Sequence, residues 1–116
     1  MRAFAADPRR KVRPMGRAEQ LQEFIKTSPN DPFPRYGLAL EYKNAGRLEE
    51  ATQAFDTLIA LFPDYTPAYL HAGNTLVARG LRTEAKALFQ RGIQACERKH
   101  DGHARGEIEA ALAELD

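Results

Sequence analysis

The chain has 116 residues, 43% of them apolar and 28% charged, with a formal net charge of +1. That composition belongs to one folded globular domain and excludes a disordered chain of low hydropathy. No apolar run is long enough to span a bilayer, and the basic start is not followed by the apolar core of a secretory signal.

The charge is unevenly placed. Residues 1–14 carry Arg2, Arg9, Arg10, Lys11 and Arg13 against Asp7 alone, whereas the remainder holds 12 basic and 15 acidic residues. With two prolines and no helical periodicity, 1–14 are expected to form a flexible basic tail. The body, 15–116, is expected to be a single helical domain, and it offers no broad cationic field for nucleic acid. Cys96 is the sole cysteine. An intramolecular disulfide is therefore excluded, and a reducing, cytoplasmic setting is the natural expectation.

The first helical pattern covers Arg17 to Thr27, with Ala18, Leu21, Phe24 and Ile25 on one stripe. Ser28-Pro29 stops it, because a residue before proline is pushed away from helical angles. Asp31-Pro32 then starts a helix over 32–45: the carboxylate can accept from free amides while proline fills the first turn. Gly46 sits where the chain must reverse. A second helix over 48–61 is apolar at Leu48, Ala51, Ala54, Phe55, Leu58, Ile59 and Leu61, and Pro63 closes it. Thr66-Pro67 repeats the cap-and-proline start of a helix that reaches about Arg79. Gly80 makes the next turn, and a helix over 82–99 carries Ala85, Leu88, Phe89, Gly92, Ile93 and Cys96. His100-Asp101-Gly102 is expected to break it before a terminal helix at 104–115. That helix has Ile108, Ala111, Leu112 and Leu115 inward and Glu107, Glu109 and Glu114 outward.

These segments repeat. At an offset of 34 residues Gly46 falls on Gly80, Ala51 on Ala85, Phe55 on Phe89 and Ile59 on Ile93. One unit earlier, Leu21, Phe24, Ile25 and Pro29 precede Phe55, Leu58, Ile59 and Pro63 by the same offset. A fixed period of this length marks stacked helix–turn–helix units. The expectation is a half-unit at 17–29, full units at 32–65 and 66–99, and a closing helix.

The residues at this period resemble the tetratricopeptide repeat. Its small residue in the first helix is Ala39 and then Gly73, and its later aromatic is Tyr42 and then Leu76. Its second-helix alanine is Ala51 and then Ala85, its aromatic Phe55 and then Phe89, and its closing proline Pro63. The chain departs where the family usually has tryptophan, with Arg35 and then Tyr69. It departs again at a small residue of the second helix, with Leu58 and then Gly92, and Glu97 stands in place of the second closing proline. The resemblance implies an all-α, right-handed stack of antiparallel helical hairpins, a tetratricopeptide-like solenoid.

It further implies a concave groove lined by the first helix of each pair. The groove residues would be Phe33, Tyr36, Leu40 and Lys43 from the first unit, and Leu70, His71, Asn74 and Val77 from the second. This mixture of apolar, aromatic and hydrogen-bonding groups suits a peptide or helix with apolar anchors. The expected role is a non-catalytic protein–protein interaction module or scaffold whose partner is a protein or peptide. A self-associating homodimer, and nucleic-acid contact through the basic tail, are the alternatives. Family members that capture a chaperone's C-terminal carboxylate use a lysine and two asparagines, then a lysine and an arginine. The corresponding residues here are Tyr36, Leu40, His71, Asp101 and Arg105. Only Arg105 fits, which disfavours that ligand.

Other chemistry finds little support. Cys96 and His100 have the helical spacing of a nucleophilic pair. However, Cys96 lies on the apolar stripe of a helix that is ending, with no third group indicated, so no enzymatic activity is expected. His100, Asp101 and His103 lack a recognised metal-ligand spacing, and phosphate-binding glycine loops are absent. Neither a cofactor, a metal nor a small-molecule substrate is expected, and no membrane.

Overall fold

The computed structural model describes residues 16–116, so the expected tail at 1–14 lies outside the described residues. These fold into six helices with no strand among them. They are α1 (Arg17–Thr27), α2 (Pro32–Asn44), α3 (Leu48–Leu61), α4 (Pro67–Ala78), α5 (Arg82–Lys99) and α6 (Gly102–Ala113). The chain is the expected stack of helical hairpins.

Each turn is set by local chemistry. The Asp31 carboxylate accepts from the Phe33 amide at 3.0 Å, with Pro32 opening α2. At the end of α2, Gly46 takes φ +78°, which lets its amide reach the Lys43 carbonyl and the Arg47 amide reach the Tyr42 carbonyl. Gly80 repeats this after α4 with φ +81°, its amide on Val77 and the Leu81 amide on Leu76. The end of α5 follows the same pattern without glycine. His100 adopts φ 54°, and the Asp101 amide reaches the Cys96 carbonyl.

Two expected helix starts are corrected here. The last helix begins at Gly102, two residues before the expected 104, because the Asp101 carboxylate accepts from the Ala104 amide and initiates it there. Thr66 does not cap α4 with its side chain. Its hydroxyl instead donates to the same Asp101 carboxylate at 2.6 Å, tying the start of α4 to the start of α6. These two donors, Thr66 first, hold the Asp101 carboxyl below its ordinary range.

The core runs the length of the stack: Ala39, Ala51, Phe55 and Leu58, then Tyr69, Ala85 and Phe89, then Ile108, are all buried. Two family departures meet within it. A Cβ on Gly92 would lie 2.6 Å from the Tyr69 Cβ, so the missing side chain on α5 lets α4 approach closely at Tyr69. The Tyr69 hydroxyl is satisfied by donating to the Pro63 carbonyl at 2.5 Å. In the preceding unit Leu58 is buried instead, and Arg35 lies in an outer cleft beside Ile25, Leu38 and Ala54.

Curvature follows from which helices meet. The backbones of α2 and α4, and of α4 and α6, approach closely, whereas those of α1, α3 and α5 do not approach one another among the described residues. The even-numbered helices therefore form the tighter, inner layer. That layer is the face on which the groove was expected.

Candidate functional site

The inner face begins with α2. Phe33, Tyr36 and Leu40 line a cleft of 220 Å³ together with Arg17, Gly37, Glu41 and Asn44. Phe33 is 60% exposed and is the one large apolar side chain of the expected groove that stands clear of the core. Leu40, Leu70 and Val77 are half-buried and lean on the core, offering only part of their surface. Asn74 is half-buried, and its side chain makes no hydrogen bond to any described residue.

At the centre of the face the predicted residues meet. The Lys43 ammonium lies 3.3 Å from His71 Nδ1. An ammonium can only donate, so Nδ1 is the acceptor, and the neutral ring carries its proton on Nε2. The Tyr36 ring meets His71 edge-on at 5.9 Å and Tyr65 edge-on at 5.4 Å. Burial lowers the His71 pKa from its ordinary 6.5, Lys43 lowers it further, and Glu107 opposes both. Burial, followed by Glu107, raises that of Tyr36.

Two contributors escaped the sequence reading. Tyr65 belongs to the α3–α4 connection and has no aromatic counterpart one period away, where Asp31 and Lys99 stand. Glu107 lies off the apolar stripe of α6 and was expected to point outward. It is exposed, as expected, and its charge also acts on both Tyr36 and His71 from α6, which packs on α4. The only informative signal was positional: α6 is the first helix of a third unit, and first helices line this face.

The lowered His71 pKa predicts an acid-sensitive fold. Above about 6.5 the ring is neutral in folded and unfolded chains alike and makes no difference. As pH falls below that value the unfolded chain takes up the proton first, so stability falls until the folded-state pKa is passed. Urea midpoints measured from neutrality down to about pH 5 should drop more for wild type than for His71→Gln. Parallel profiles would show that His71 is not the responsible group.

The remaining polar groups are engaged elsewhere. Arg105, the single match to the chaperone-tail pattern, pairs with Glu97 at 3.4 Å and Glu109 at 3.1 Å. Cys96 is buried, and burial followed by Asp101 raises its thiol pKa, the reverse of nucleophile activation. His100 is exposed in the left-handed turn. Among the described residues no three His, Cys, Asp or Glu side chains converge as metal ligands. No helix among them is long and apolar enough to cross a membrane.

Hairpins stacked at this period, with small residues facing large ones across α2–α5, define a helical-repeat protein. Residues 42–95 match the tetratricopeptide repeat. The chain is similar to a tetratricopeptide repeat domain protein from Salinibacter ruber, known from a solution structure. The two are 26% identical with a TM-score of 0.71, over 76% of this chain and 89% of that one. A crystal structure of a tetratricopeptide repeat domain protein from the same organism gives 26% identity and a TM-score of 0.69, over 73% and 96%. A Bordetella parapertussis protein solved in solution shares the fold, with 20% identity and a TM-score of 0.75 over 88% and 89%. No curated protein matches the chain. Repeats of this family are in general non-catalytic modules for protein–protein interaction.

Proposed function

We propose that the inner face of α2, α4 and α6 holds a segment of a partner protein, so that the chain acts as an adaptor without chemistry of its own. The observation that carries this reading is the juxtaposition on one face of an exposed Phe33, an unbonded Asn74 and the Tyr36–His71–Lys43 cluster. Apolar surface left in water beside polar groups without partners is what an interaction site offers before it is filled. Phe33 would supply the apolar anchor, and Asn74 would bond the backbone of the bound segment.

Random displayed peptides selected on the full chain test this reading. Synthetic copies of the enriched peptides should bind Phe33→Ala/Asn74→Ala at least about tenfold more weakly than wild type, the size of one or two interface hot spots. Phe33 is largely exposed and the Asn74 side chain bonds no described residue, so this variant should keep the wild-type circular dichroism spectrum. Equal affinity for a folded variant would remove the inner face from consideration.

A further inference from the structure

The charges of the inner face are few and sit on opposite sides of α4. Lys43, on α2, is half-buried and has no carboxylate within ion-pair distance among the described residues; its one polar contact is the His71 imidazole. Glu107, on α6, meets only the His103 imidazole at 3.7 Å and no lysine or arginine among the described residues. The other charges beside them are already neutralised, Arg17 by Glu41 at 3.9 Å and Arg105 by Glu97 and Glu109. α4 between them carries no acidic residue and no lysine or arginine from Pro67 to Ala78.

A half-buried ammonium with three donors is poorly served by one neutral nitrogen. Its hydration has been reduced, and a bond to a charged acceptor is about twice as strong as one to a neutral acceptor. Glu107 is exposed rather than half-buried, a carboxylate open to an incoming cation and paired with no lysine or arginine among the described residues. The two do not satisfy each other: no ion pair joins them, and α4, which carries His71, approaches both α2 and α6 while the backbones of those two helices do not meet.

We infer that the segment bound on the inner face is zwitterionic and oriented: a carboxylate of the partner pairs with Lys43 at the α2 side, and a lysine or arginine of the same segment faces Glu107 at the α6 side. This rests on the inner-face reading above and adds the partner's chemistry and direction. The incoming carboxylate takes the Lys43 ammonium from His71 Nδ1 and frees that nitrogen. The Nε2–H remains available to a backbone carbonyl. A segment laid the other way would bring acid to Glu107 and base to Lys43, two like-charge contacts that reject it.

The same displayed-peptide selection, run on full chains of wild type, Lys43→Glu and Glu107→Lys, tests the inference. Wild type should enrich peptides with one acidic and one basic residue at a constant separation. Lys43→Glu should replace the acidic residue by a basic one, and Glu107→Lys the basic residue by an acidic one. Lys43→Met, which keeps the aliphatic stem, should weaken the best wild-type peptide by at least about tenfold. Peptides that need Phe33 and Asn74 but show no charge preference, or the same preference in all three chains, would overturn the inference and leave the inner-face reading standing. No enrichment, or enrichment indifferent to Phe33→Ala/Asn74→Ala, would overturn both.

Discussion

Gly73→Ala is expected to destabilise the chain by about 1–3 kcal/mol, although alanine is the better helix former. Gly73 lies inside α4 and has no need of an unusual backbone angle. Its missing side chain serves Phe89: a Cβ there would lie 2.1 Å from ring atom Cε1 and 2.6 Å from Cδ1 and Cζ. Phe89 is fully buried, so the ring has nowhere to go, and α4 must move away from α5. Phe89→Ala alone should cost about 3–5 kcal/mol through lost burial and the cavity it leaves. In the Phe89→Ala background, however, Gly73→Ala should become neutral or stabilising. The added methyl enters the cavity, and replacing a helical glycine returns about 0.5–1 kcal/mol. Urea midpoints of the four chains, with helix content checked for each, give the coupling directly. Strictly additive losses would show that the Gly73–Phe89 contact is not what fixes this helix pair.

Gly92 provides the contrasting case. A Cβ there would meet Tyr69 at its Cβ, 2.6 Å away, rather than at a removable ring tip. Shortening Tyr69 to alanine would keep the clashing atom, so the close approach of α4 and α5 is written there into the backbone spacing.

This distinction explains how much the sequence disclosed. The 34-residue recurrence of Gly46 with Gly80 and of Phe55 with Phe89 marks turns and core, because the same contacts recur in each unit. All six helices were legible from it to within a residue or two at most boundaries. The departures at Arg35, Tyr69, Leu58 and Gly92 were visible as differences but not as pairs. That Tyr69 faces Gly92 is a fact about which residues meet across α4 and α5, and spacing alone does not state it. The αL turn at His100 was hidden for a related reason. Asp101 can initiate α6 only if the preceding residue reverses the chain, and His100 does so where the neighbouring Gly102 suggested itself.

The candidate site was less legible than the fold. Tyr36, Lys43 and His71 were placed on one face, but the Lys43–His71 contact depends on how α2 and α4 are staggered. Tyr65 enters from a connection that carries no periodic signal. Glu107 is exposed, as its place off the apolar stripe of the closing helix implies. That helix is also a wall of the inner face, and a polar residue at the edge of an apolar stripe has the same sequence pattern in either setting.

Ile108→Ala is expected to remove that wall. Ile108 is fully buried, and its Cδ1 lies 3.1 Å from where a Cβ on Gly92 would be, beside the Tyr69–Gly92 contact. Truncating it leaves a cavity where the last hairpin joins the stack, at a cost of about 2–5 kcal/mol. The other ties of α6 cannot compensate. Its polar ties are the Lys86–Asp116 pair at 2.9 Å, the Arg105–Glu97 pair at 3.4 Å, an Arg82 bond to the Leu115 carbonyl and the Thr66–Asp101 bond, all at least partly open to water. The smaller or partly buried Ala104, Ala111 and Leu112 give less apolar contact than Ile108. Stacked repeats couple mainly to their neighbours, so the loss should be graded along the chain. Hydrogen exchange should show amides of α6 losing protection first and most, those of α5 next, and those of α2 and α3 least. Uniform loss across all six helices would mean that the stack unfolds as one unit, and unchanged protection in α6 would mean that Ile108 is not its anchor. Under the graded outcome, Glu107 leaves the vicinity of His71 while α2 and α4 stay folded. Peptides that depend on Glu107 should then lose affinity for Ile108→Ala, and those held by Phe33 and Lys43 alone should keep it.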